Sequence, residues 1–218
     1  MQSRRGVISA LVSAVIASTL LGVAAIAPAS AETTTVVDTW EDAQQLTGSA
    51  GSLWKPTFTA GLPMTGGVTV MDGKPSPSTR SMGVQANYIQ GRRTITIQEN
   101  YKGTSAAFDP EPNIASMPVG TTRIRVGSPD MRYTVKASIN ANCYIKEPGP
   151  DGSVPAPPAG FRCSRADVAK YGGSLSVTMR PASTMTAPGT TFVNITVSKG
   201  VTYKQLIRIV QGLVQIGP

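Results

Sequence analysis

The sequence predicts an all-β protein, an antiparallel β-sandwich with one or two short helices and one disulfide. Three observations carry that prediction. Short runs of alternating apolar and polar residues recur along the chain, separated by turns drawn from 22 glycines and 17 prolines, which is the pattern of a sandwich or barrel. Helix signals are few and brief. The only two cysteines, Cys143 and Cys163, bracket a segment dense in proline and glycine that has no periodicity of its own.

Residues 1–31 read as a secretory signal. Arg4 and Arg5 form a positive start, an uncharged run extends from Gly6 to Ala27, and Ala29-Ser30-Ala31 makes a small-x-small cleavage site. A retained transmembrane anchor is the rival reading. A twin-arginine reading of Ser3-Arg4-Arg5 is weaker, because the apolar residues expected next are only partly present. The expected division is therefore a signal over 1–31, an N-terminal segment over 32–55 and a β-sandwich over 56–218. Loss of Arg4 and Arg5 lowers the formal charge from +8 to +6. The expected location is outside the cytoplasm, secreted or at the cell envelope. Two cysteines in such a compartment predict a disulfide, worth roughly 3 kcal/mol for a ring of this span.

Glu32 to Val37 is polar and β-branched, a linker or first edge strand. Asp38 and Glu41 have the spacing of a capping box, with Trp40, Ala43 and Leu46 on one side of a short helix and Gly48 closing it. Gly67 to Met71 alternates and Asp72-Gly73 reads as a turn, followed by a loop over Lys74–Ser81. Gly83–Ile89 and Arg93–Asn100 read as the arms of a hairpin around Gly91. Phe108–Pro118 reads as a loop, and Thr121–Val126 as a strand with Ile124 and Val126 against Arg123 and Arg125. Met131–Ile145 reads as a longer strand with Tyr133, Val135, Ala137 and Ile139 on one face.

After the stapled segment, Ser164 and Asp167 mark the start of a second short helix and Gly172 its end. Leu175, Val177 and Met179 make a strand, as do Val193, Ile195 and Val197. Val201–Ile216 is expected to be strand, because of its β-branched content. The rival is a helix, since Leu206, Ile209, Val210 and Leu213 also fit a helical spacing. In pattern alone, with no motif, residues 190–216 resemble the last strands of an immunoglobulin-like sandwich.

The chain has no histidine. Ser-His-Asp and Cys-His mechanisms are thereby excluded, because no imidazole can take the nucleophile's proton, and so are zinc sites with histidine ligands. Ser52-Leu53-Trp54-Lys55 has the Ser-x-x-Lys spacing of penicillin-binding proteins and serine β-lactamases, and Ser138-Ile139-Asn140 resembles their second motif. That match fails: Pro56 disfavours a helical Lys55, and no Lys-Thr-Gly stands near the C-terminus. Asp109 with Glu111, and Glu147 with Asp151, are the carboxylate pairs that a glycoside hydrolase would need. Nothing beside them marks a catalytic cleft, so no catalytic residue, metal or cofactor is expected.

Binding is the reading that remains. Arg92 and Arg93 at a hairpin, with Arg123, Arg125 and Arg132 on strands, are candidates for one basic face that holds a carboxylate- or phosphate-bearing polymer. Trp40 and Trp54 are expected to be core anchors rather than sugar platforms. The expected function is an exported, non-catalytic binding or interaction module, for an anionic envelope polysaccharide or a protein partner. Nucleic acid is not expected as a partner: the basic residues are scattered and aromatics are few. The alternatives are a hydrolase using a carboxylate pair and a hydrolase inhibitor presenting the Cys143–Cys163 loop.

Overall fold

A computed structural model describes residues 33–48, 52–76, 79–101, 116–127, 132–144, 156–180 and 190–216. In chain order the described residues form β1 (Thr33–Val37), α1 (Trp40–Thr47), β2 (Leu53–Pro56), β3 (Met64–Ser76), β4 (Thr79–Gln90), β5 (Arg93–Tyr101), β6 (Met117–Val126), β7 (Tyr133–Ala141), α2 (Arg165–Tyr171), β8 (Gly173–Met179), β9 (Thr191–Val197), α3 (Tyr203–Gln211) and β10 (Leu213–Ile216). Eight strands make one antiparallel sheet in the order β1-β3-β4-β5-β9-β8-β7-β6, and β10 pairs with β2 in a second, two-stranded sheet. The architecture is all-β and sandwich-like, with unequal layers.

The alternation read in the sequence sets the layers. Val68, Ala86, Ile97, Ile195, Leu175 and Ile139 stand opposite one another in a single row across six strands, and all are buried. Burying each of these side chains but that of Ala86 contributes about 1.5–3 kcal/mol. The opposite, outer face is polar. There Ser176 donates to Asn194 (3.0 Å), Asn194 to Gln98 (3.3 Å) and Gln98 to Gln85 (3.1 Å), a chain of hydrogen bonds across β8, β9, β5 and β4.

The second layer lies on the inner face. Trp54 of β2 meets Tyr133 of β7 edge to face, with centroids 6.3 Å apart. The Trp40 indole of α1 donates to the Tyr88 hydroxyl at 2.8 Å. Both tryptophans are buried and belong to the same core cluster as the sheet. Cys143 and Cys163 are bonded, with Cα atoms 5.8 Å apart, inside the range that a disulfide spans without distorting the backbone. The bond ties the end of β7 to the approach to α2.

Four expectations are corrected. Val201–Ile216 is not a continuous strand. Thr202 caps α3, its hydroxyl accepting from the Gln205 backbone N–H at 3.2 Å while the Gln205 side-chain Oε1 accepts from the Thr202 N–H at 2.9 Å. Leu206, Ile209 and Val210 then face the core, and the chain turns at Gly212 into β10. The reciprocal cap and the helical spacing outweigh β-branched propensity, which is a weak preference. The cap of α1 is Thr39, not Asp38, with its hydroxyl accepting from the Asp42 N–H at 3.1 Å, and Leu46 faces solvent. Asp72-Gly73 is no turn: it pairs with Met82 and Ser81 inside the long β3–β4 hairpin. Finally, β6 begins at Met117, so Pro118 lies within it. An edge strand tolerates a proline that cannot donate to a ladder.

The second helix forms as its signals predict. The Ser164 N–H and hydroxyl both donate to Asp167 at 2.7 Å, which holds that carboxyl below its usual range. The signal region 1–31 lies outside the described residues. Among those described, no helix is long and apolar enough to cross a membrane.

Candidate functional site

Period-two alternation decides which arginines share a face. On β6, Ile124 and Val126 are buried, so Arg123 and Arg125 project outward and are exposed. On β7, Val135, Ala137 and Ile139 are buried, so Thr134 and Lys136 project outward. Antiparallel register sets Arg123 directly opposite Lys136 and Arg125 opposite Thr134. Arg132, exposed at the entry to β7, continues the same side. Arg180 joins from the end of β8: the Tyr133 hydroxyl donates to its carbonyl at 2.9 Å and anchors that backbone beside β7. Burial raises the Tyr133 hydroxyl pKa, opposed by the Arg180 backbone hydrogen bond and by the Arg180 charge.

Arg123, Arg125 and Lys136, with Arg132 at the entry to β7, lie at one corner of the outer face, and Arg180, exposed just past the end of β8, lies beside it. No described carboxylate shares it: the ion pair among the described residues is Lys55–Glu41 at 2.7 Å, on β2 and α1. Asp130 falls between β6 and β7 in the sequence, outside the described residues. Like charges directly opposite across an antiparallel pair are destabilising, so the Arg123–Lys136 pairing costs the isolated sheet.

Arg92 and Arg93 are elsewhere. Arg92 lies in the tight turn between β4 and β5. Arg93 shares the inward side of β5 with Ile95 and folds over the loop below, donating to the Ala60 carbonyl at 3.4 Å. Between β5 and β6 lie three strands, a separation of about 19 Å at the usual spacing. The five arginines read from the sequence therefore do not form one face: three converge and two do not. Lys136 and Arg180 were missed. Their signal is the register of the β6–β7 hairpin and the position of β8 beside it, which only pairing reveals.

The other singled-out side chains among the described residues make structural contacts. Ser52 and Lys55 of the Ser-x-x-Lys spacing flank and enter a strand, not a helix. Ser52 is buried, accepting from the Gln215 amide at 2.9 Å, and Lys55 pairs with Glu41. Glu99 is fully buried on the inner face and accepts the Trp54 N–H at 3.0 Å. Burial pushes its pKa well above the carboxylate range, with the Trp54 N–H opposing. Trp40 and Trp54 are core residues. Asp109, Glu111, Glu147 and Asp151 lie outside the described residues, as does most of the loop between the cysteines. Among the described residues no group of three metal-ligating side chains forms. An open groove of about 410 Å³ runs between β1 and α1, lined by Val36, Val37, Asp38, Asp42, Gln45 and Leu46.

Fold and site together define an all-β, disulfide-stapled protein with a basic corner on a sheet face that is otherwise uncharged among the described residues. No protein-family model, curated protein or solved structure matches the chain.

Proposed function

We propose that the protein is an exported, non-catalytic binding module of the cell envelope or medium, which holds an anionic polymer on the corner formed by Arg123, Arg125, Arg132, Lys136 and Arg180. The observation that carries this reading is the convergence of five cations with no described carboxylate among them, two of the cations facing each other across a strand pair. Arginine is suited to the role, because its planar fork matches carboxylate and phosphate oxygens two at a time. The signal-like N-terminus and the disulfide support an oxidising, extracytoplasmic setting.

The test is retention on an immobilised acidic polysaccharide across a salt series. Wild type binds at low salt and elutes as salt screens the corner. The double variant Arg123→Gln/Arg125→Gln loses most retention, while Arg92→Gln, on a distant turn, keeps it. Absence of wild-type retention at low salt, or equal retention by the double variant, overturns the reading.

A further inference from the structure

Phe192 lies on the same outer face, and no other strand residue there is aromatic among those described. Its neighbours along β9, Thr191 and Val193, are buried inward, yet Phe192 is 44% exposed. Directly opposite it stand Asn100 on β5 and Thr178 on β8. Asn100 is buried at 7% exposure, and its Oδ1 has no hydrogen-bond donor among the described residues. One position beyond the Ala137–Val177 pair, Lys136 stands level with Thr178, and Lys136 faces Arg123. Phe192, Thr178, Lys136 and Arg123 thus form one row across four adjacent strands, about 14 Å from end to end at the usual strand spacing. Arg125 and Arg180 flank the basic end of the row. The amides and hydroxyls of Gln98, Asn194 and Ser176 lie alongside it, on the next outward positions of β5, β9 and β8.

A row with an aromatic at one end, hydroxyls and amides beside it and cations at the other matches a sugar chain that carries acidic groups. The face of a pyranose ring presents C–H groups that bury well on an aromatic ring, its hydroxyls need donors and acceptors, and its acidic substituents need cations. A polyanion without sugar rings has no use for Phe192. We infer that the polymer held by the basic corner is an acidic polysaccharide lying across the strands, with one sugar ring stacked on Phe192 and its acidic groups on Lys136, Arg123 and Arg125. This inference rests on the binding reading above and names its ligand class.

The experiment titrates the purified protein with three probes: a polyuronate, an inorganic polyphosphate and a neutral dextran. Wild type binds the two polyanions and not dextran. Phe192→Ala weakens polyuronate binding about tenfold, the loss of one stacking contact, and leaves polyphosphate binding unchanged. Phe192→Trp, which keeps a platform, retains polyuronate binding. Phe192→Ala lowers the melting temperature modestly, since the ring is only 44% exposed and sits on an interior strand, and Phe192→Trp does not; both variants stay folded at the assay temperature. If Phe192→Ala leaves polyuronate binding intact, or weakens both polyanions equally, the polysaccharide inference is overturned while the basic-corner reading stands. If wild type binds neither polyanion at low salt, both fall. An equal affinity for dextran overturns the role given to the cations.

Discussion

Replacing Glu99 by glutamine removes a buried carboxyl and keeps its shape. The side chain is fully buried between Val84 of β4 and Val193 of β9, and the Trp54 N–H reaches its two oxygens at 3.2 and 3.0 Å. Burial raises its proton affinity above the ordinary value of 4.5. The folded state therefore keeps the proton at pH values where the unfolded chain has released it. From pH 4.5 up to the raised pKa, stability falls as pH rises, by about 1.4 kcal/mol per unit. Glutamine still accepts from Trp54 but has no proton to lose. Its unpartnered amide adds a cost of about 1–3 kcal/mol that does not change with pH. The variant is thus less stable than wild type near the acidic end of the window, and the gap closes as pH rises. In urea unfolding, the two midpoints approach each other by about 0.5–1 M per pH unit. A constant gap, or one that widens with pH, would refute a neutral buried Glu99.

Two further outcomes follow from the geometry. Replacing Cys143 and Cys163 together by alanine releases a loop with a sequence separation of 20, costing about 3 kcal/mol and lowering the melting temperature by about 6–12 °C in a scanning calorimeter; an unchanged temperature would show that the bond does not hold the loop. Thr202→Ala removes the hydroxyl that caps α3, so a loss of about 1 kcal/mol is expected in denaturant unfolding, and no change would mean that packing of Leu206, Ile209 and Val210 alone sets the helix.

Much of the fold was legible because side chains alternate on strands. Ile95 and Ile97, Val135 to Ile139, Leu175 to Met179 and Val193 to Val197 all bury the face that their spacing assigns. The same rule that puts Val193 inside puts Phe192 outside, so its exposure is legible in the sequence. Strand order was not readable. Insertion of β9 between β5 and β8 places Arg93 far from Arg123, and nothing local in either hairpin reports it. Lys136 needed cross-strand register, which is set in the β6–β7 pairing. The helix α3 is legible locally: Thr202 and Gln205, three apart, are a capping box in front of a helical apolar stripe, a stronger signal than β-branched content.

The position of β9 also governs the order in which this protein assembles. Strands β3 to β5 form one set of neighbours, and β6 to β8 another, each within reach of local pairing. Until residues 191–197 arrive, the two half-sheets have no hydrogen bonds to each other. The small β2–β10 sheet waits longer still, since its partners are separated by most of the chain. A chain emerging N-terminus first therefore holds two incomplete sheets with open edges, and closes late, through contacts of high sequence separation. Such topologies fold slowly, on the order of milliseconds to seconds. A slow, late closure leaves the facing edges of β5 and β8 open to pairing with other chains until β9 fills the gap.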